Sequence, residues 1–282
     1  MKTAAAHSPD TGLFLTFYGD TVDLLRRTPN DAQTIIYPLS RRASIKDILE
    51  SLGVPHTEVG RIVRAGQEQT FEKIAEVGEH FHIHPLSPAT PPTVATTLRP
   101  ETVSDCIFLA DINVARLAGL LRMVGFDAEA VGREMTSSVT LDRAIGEKRI
   151  LLTRNRDLLK QRRLVFGRLV RSQDPEKQLK EILNLYRLQD RIRPFSRCIA
   201  CNRPLAEVDK KTVIDRLLPL TRKYYDRFYQ CTGCGKIYWR GSHHDKMTAQ
   251  LERILGKMQC RWRLPQDQPI PDQARHDGDG KA

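Results

Sequence analysis

Two apolar runs, residues 13–18 (Leu-Phe-Leu-Thr-Phe-Tyr) and 34–39, open the hydrophobic pattern of the chain and predict β-strands. At Ser44 the period lengthens. Ser44 and Asp47 form a capping box, and Ile45, Ile48, Leu49 and Leu52 fall on one helical face. Gly53-Val54-Pro55 ends that helix, and further short strands are predicted at 59–64 and 80–84. The order strand, strand, helix, strand, strand is that of a small β-grasp domain, placed at residues 12–86. His80, His82 and His84 alternate along the last strand and share one face, as a metal site or as a partly exposed strand surface.

Five prolines among Ser, Ala and Thr in residues 85–103 favour an extended, semi-rigid spacer, with the linker at 87–103. A new pattern then begins. Residues 106–110 read as a buried parallel strand that ends in Asp111. Leu117, Leu120, Leu121 and Val124 mark a helix, 128–131 a strand, and Leu141, Ala144 and Ile145 a second helix. A strand from Arg149 leaves through Thr153-Arg154-Asn155, 164–170 gives another, and Leu179, Ile182, Leu183 and Tyr186 mark a further amphipathic helix. Such alternation predicts a three-layer α/β domain over a mostly parallel sheet, at residues 104–194.

Ligands of open parallel sheets collect at the carboxyl ends of neighbouring strands. If the strands leading to Asp111 and Asn155 are neighbours, these two residues face one pocket. An acid just past a buried strand is otherwise a helix N-cap, and pattern alone leaves both roles open for Asp111.

Charge adds a partner class. Residues 12–86 hold 8 Lys/Arg against 10 Asp/Glu, yet the chain as a whole carries +11, so the excess lies beyond the β-grasp segment. It is densest between Leu141 and Arg171, where ten basic residues meet three acids. That density attracts polyphosphate, RNA above all, or else forms a solvated basic surface. The first ten residues lack a signal-peptide apolar run, and no stretch reaches 18 uncharged apolar residues. A soluble, cytoplasmic protein without a membrane partner is expected.

Cys198, Cys201, Cys231 and Cys234 form two Cys-x-x-Cys pairs, Arg-Cys-Ile-Ala-Cys-Asn and Gln-Cys-Thr-Gly-Cys-Gly. Four thiolates close a tetrahedral zinc shell and leave no open catalytic position; disulfides are the rival reading. A zinc ribbon and terminal helix are placed at 195–262 and a disordered tail at 263–282. Cys106 and Cys260 are left as unligated thiols, and His243 and His244 as capping or surface residues. Aromatic residues beside the ribbon, Tyr238 and Trp239 among them, pack it or stack on bases.

Residues 44–59 (Ser-Ile-Lys-Asp-Ile-Leu-Glu-Ser-Leu-Gly-Val-Pro-His-Thr-Glu-Val) resemble the ubiquitin-like domain found before certain PIN-type ribonuclease domains. From Phe108 to Met247 the chain is similar to the PIN-like ribonuclease family named after the C-terminal domain of the exonuclease Mut-seven. The segments that carry this are Phe-Leu-Ala-Asp-Ile-Asn-Val-Ala-Arg-Leu-Ala (108–118), Leu-Arg-Met-Val-Gly-Phe-Asp (121–127) and Arg-Ile-Leu-Leu-Thr-Arg-Asn-Arg-Asp-Leu-Leu (149–159). Both cysteine motifs, within 195–205 and 231–243, belong to it as well.

The resemblance implies RNA cleavage by carboxylates that hold Mg²⁺ or Mn²⁺, because activated water and phosphorane charge need hard divalent cations. Here the chain departs from its relatives. Asp111 matches the first acid and Asp157 a frequent one, but the acidic pair before the next helix falls on Ser137 and Ser138. The acid of the Thr-Arg-Asp motif is Asn155, while Glu134 and Asp142 are out of register. Arg154 and Arg156 flank the vacated position, and Arg116 approaches from the first helix; their planar donors suit phosphate. The expectation is an RNA-associated protein, with tRNA or the ribosome as candidate partners, in which Mg²⁺ or Mn²⁺ binds weakly and cleavage is weak or lost. Two alternatives stand: an active ribonuclease using Asp111 and Asp157, or an adaptor whose β-grasp domain meets an unknown protein partner.

Overall fold

The computed structural model describes residues 12–25 and 34–256, which form two compact units. The first takes the described residues up to Ala115 with Ala130–Arg171 and Ile182–Arg187. The second takes Arg116–Glu129, Ser172–Glu181 and the chain from Leu188. Cys260 and the expected tail at 263–282 lie outside the described residues.

The first unit opens with strands β1 (Gly12–Phe17), β2 (Thr34–Pro38), β3 (Val59–Arg64), β4 (Gln67–Glu68) and β5 (His80–Pro85), in the order β2-β1-β5-β3-β4. β1 and β5 run parallel at the centre, and β2 and β3 flank them antiparallel. The helix Ile45–Ser51 starts where the sequence pattern predicts, because the Ser44 hydroxyl accepts the Asp47 amide at 3.1 Å. Its Ile45, Ile48 and Leu49 are buried with Leu13, Leu15 and Phe17 of β1 and Phe81 and Ile83 of β5 in one apolar cluster. Each such side chain contributes roughly 1.5–3 kcal/mol on burial. Glycine is required in β3, since a Cβ on Gly60 would lie 2.3 Å from the Pro85 carbonyl oxygen.

Opposite the core, β5 displays its histidines beside Phe14 and Tyr18. His80 stacks on His82 and His84 on Tyr18, each at 4.5 Å between ring centroids. His80 Nε2 bonds Thr16 Oγ1 at 2.8 Å and His82 Nδ1 bonds the Tyr18 hydroxyl at 2.9 Å. The strand-face reading accounts for these rings.

The proline-rich segment is not extended. Leu98, Arg99 and Val103 are buried within it. Arg99 donates to the carbonyls of Val59, His56 and Thr57 at 2.8, 3.2 and 3.0 Å, and the Val103 amide returns to Pro92 at 3.1 Å. Composition foretold a spacer, but a single arginine with four main-chain acceptors, Val165 at 3.4 Å included, folds the segment onto the unit.

Three parallel strands complete this unit: β6 (Phe108–Ala110), β8 (Ile150–Thr153) and β9 (Gly167–Leu169), with β8 in the middle. Strand β7 (Ala128–Ala130) precedes Val131, whose amide donates to Ala110 at 2.9 Å. The β-grasp core and the parallel sheet share one apolar cluster, which continues through Leu109, Leu151, Leu158, Leu159, Leu164 and Leu169.

The second unit carries an antiparallel sheet of β10 (Leu205–Val208), β11 (Phe228–Cys231) and β12 (Ile237–Tyr238), followed by the helix Ser242–Leu255. Val213, Leu217 and Phe228 form its small core, with Tyr225 and Trp239 packed against them. Among the described residues no helix is long and apolar enough to cross a membrane.

Candidate functional site

β6 and β8 are hydrogen-bonded neighbours, so Asp111 and Thr153-Arg154-Asn155 do leave adjacent strands at one end of the sheet. The Asp111 carboxylate accepts three hydrogen bonds there. Oδ1 accepts the Ile112 amide at 2.7 Å, while Oδ2 accepts the Asn113 side chain at 2.8 Å and the Thr153 hydroxyl at 2.6 Å. Asp111 is thus the N-cap of the short 3-10 turn Ile112–Val114. Asn113 Oδ1 in turn accepts the Arg154 amide at 3.1 Å.

Asn155 caps the next helix, Arg156–Leu159. Its Oδ1 accepts the amides of Asp157 and Leu158 at 3.0 and 3.4 Å, and its own amide donates to Thr153 Oγ1 at 3.0 Å. A cleft of about 320 Å³ opens beside it, lined by Ser137, Ser138, Asn155, Asp157, Gln161 and Arg163 with Leu141 and Leu158. Ser137 and Ser138 are exposed in the first turn of the helix Ser137–Gly146. Asp157 is exposed, and its carboxylate has no partner among the described residues. Arg163, at the rim, pairs with Asp142 at 2.7 Å. Asp111 does not line this cleft.

The arginines singled out by sequence fare unequally. Arg156 Nη1 donates to the Leu24 carbonyl at 2.8 Å and Arg154 Nη1 to the Arg171 carbonyl at 3.1 Å, and both side chains are half-buried. Arg116 is exposed on the helix Ala115–Met123. Arg163, one basic residue among ten in its stretch, lines the cleft, and sequence gave no signal that set it apart.

In the second unit the sulfurs of Cys198, Cys201, Cys231 and Cys234 lie within 4.8 Å of one another. Cys198 and Cys234 are 3.7 Å apart, Cys201 and Cys231 3.2 Å. A tetrahedral ion about 2.3 Å from each sulfur holds them roughly 3.8 Å apart, so the set fits a metal such as zinc. No disulfide joins the described cysteines. Outer partners orient the sulfurs: the amides of Gly233 and Cys234 each reach Cys231 Sγ at 3.4 Å, and the Tyr238 hydroxyl reaches Cys198 Sγ at 3.0 Å. Burial opposes ionisation of the Cys198 thiol, but the Tyr238 hydroxyl and the Cys201 amide outweigh it and lower its pKa. Tyr238 itself is pushed well above the usual phenol range, by burial first and then by Cys198, and remains a donor.

The first knuckle is anchored from below. Arg122 Nη1 donates to the Ile199 and Ala200 carbonyls at 2.8 and 3.1 Å. Buried Asn202, at φ +68°, donates to Asp127 Oδ1 at 2.9 Å and accepts the Ala128 amide at 3.2 Å. His244 is not a ligand; its ring packs on Phe195 at 4.4 Å.

The chain matches the family described as the Mut7-C RNAse domain over residues 107–251 and the Mut7-C ubiquitin family over residues 11–90. It belongs to the Mut7-C RNAse domain family, with that ubiquitin-like domain in front. No curated protein and no solved structure matches the chain.

Proposed function

We propose that this is an RNA-binding member of a ribonuclease family whose cleft holds a nucleotide backbone by cations and cleaves it weakly or not at all. One observation carries this reading. The Asp111 carboxylate accepts three hydrogen bonds and lies outside the cleft, whose lining carries Asn155, Ser137 and Ser138. Neutral oxygens can touch a cation but bring no charge to hold it. Asp157 is left as the single carboxylate lining the cleft, so the donor set fits Mg²⁺ or Mn²⁺ poorly, and no step is routed through either ion.

Phosphate recognition falls first to Arg163, the exposed guanidinium at the cleft rim. Arg154 and Arg156 of the same unit, and Arg116 of the other, are proposed as further phosphate contacts. Zinc is the ion proposed for the four thiolates, in a structural role; thiolate ligation rather than disulfide pairing is what a reducing compartment such as the cytoplasm favours. The unpaired Asp157 favours one second reading, residual single-metal cleavage. An adaptor role for the N-terminal domain is less supported, because part of its surface is buried against the parallel sheet.

Binding of a single-stranded RNA oligonucleotide tests the proposal. Affinity is expected to fall steeply as salt rises and to drop further in Arg163→Ala. Affinity indifferent to both would overturn it.

A further inference from the structure

The N-terminal domain reaches the cleft through one buried histidine. His56, 5 % exposed, lies in the turn before β3. Its Nδ1 is 2.7 Å from Glu50 Oε1 and its Nε2 is 2.7 Å from the Leu164 carbonyl oxygen. Both partners are acceptors when Glu50 is ionised. A neutral imidazole has one N–H, so both bonds coexist only if the ring is doubly protonated or Glu50 holds the proton.

Leu164 closes the segment that carries Gln161 and Arg163 into the cleft. Two further contacts grip the same segment. Lys160 Nζ donates to the Glu50 carbonyl at 2.8 Å, at the end of the helix Ile45–Ser51, where a cation also meets the negative end of the helix dipole. Lys46 Nζ lies 3.5 Å from the Arg162 carbonyl. Phe71 closes the pocket edge-on to the His56 ring at 5.7 Å.

We propose that His56 is a positioning residue for the cleft: as an imidazolium bridging Glu50 and Leu164, it fixes the segment that presents Arg163 to ligand. The ubiquitin-like domain is then an intramolecular brace on that segment. The charged groups around the ring are Glu50 on its helix, Lys46 and Lys160 beside the gripped segment, and Arg99, bound to the His56 carbonyl. The buried Glu58–Arg168 pair lies two residues along the chain. The effect on ligand affinity rests on the RNA-binding reading; the protonation of the ring does not.

The experiment combines two readouts on the zinc-loaded full chain. In ¹H–¹⁵N spectra of the imidazole region, His56 is expected to show two slowly exchanging ring N–H protons. His56→Gln is expected to bind RNA about threefold to tenfold more weakly than the parent, the scale of one hydrogen bond, with its fold intact by circular dichroism. Glu50→Gln supplies an amide that can donate to a neutral ring, so it is expected to keep affinity. A single ring N–H, or a His56→Gln variant that binds RNA as the parent does, would overturn the proposal. Two ring protons without RNA binding at any pH would leave the bridge standing, sink the RNA reading, and refute the link to affinity.

Discussion

Thr153 donates a 2.6 Å hydrogen bond to Asp111 across two adjacent parallel strands, with both groups buried. An acid whose oxygens are held by a hydroxyl, an amide and a carboxamide is organised as part of the scaffold. Asp111→Asn keeps the shape but sets an N–H₂ group against these donors. We expect a loss of stability of about 1–3 kcal/mol in a urea melt, the cost of burying unsatisfied polar groups. RNA binding should be retained by the folded fraction.

Glu58 and Arg168 make the deepest ion pair between the ubiquitin-like domain and the parallel sheet, at 2.7 Å with side chains 1 % and 5 % exposed. Glu58 Oε1 also accepts the Leu169 amide at 2.7 Å. Glu58→Ala strands a buried guanidinium, so unfolding free energy should fall by about 3–5 kcal/mol. Replacing both residues by methionine should cost less than the single change, because no charge is left unpaired. Denaturant titration of the three proteins checks this.

The cysteine cluster predicts metal-dependent folding of the ribbon. About one zinc per chain is expected by elemental analysis, with tight thiolate coordination contributing directly to stability. Removal by a strong chelator should quench the native tryptophan emission that reflects Trp239 packing, and zinc should restore it. Cys231→Ser should abolish the recovery.

The histidine row on β5 predicts an acid limit. His80 and His84 have lowered pKa values, from burial first, with His82 adding repulsion to both and Arg61 to His84. The folded state therefore binds fewer protons than the unfolded chain. Their contribution is complete above the ordinary histidine value of about 6.5 and is lost as pH falls below it. Thermal melting should decline over that window, and His80→Gln with His84→Gln should flatten the decline.

Local patterns of the fold were legible in the sequence. Ser44, the period-two runs and the Cys-x-x-Cys pairs act through near neighbours, and each element appears where they place it. Pairings between distant residues were not legible. Glu58 meets Arg168 across 110 residues, and nothing local distinguishes it from a surface acid. Arg154 and Arg156 have the look of phosphate ligands, yet each donates to a main-chain carbonyl supplied by a remote segment. The same limit hid Arg163 and His56, whose proposed roles depend on which loops the tertiary packing brings together. Asn155 and the two serines stand where the resemblance implies acids, and the cleft gathers all three.

The most direct measurement is cleavage of RNA in Mn²⁺ under conditions where the RNA is bound, comparing the parent protein with Asn155→Asp, Ser138→Asp. The account predicts that the parent leaves the RNA intact or nearly so and that the double variant cuts it faster. Robust turnover by the parent, abolished by Asp111→Ala in a protein that remains folded, would contradict it.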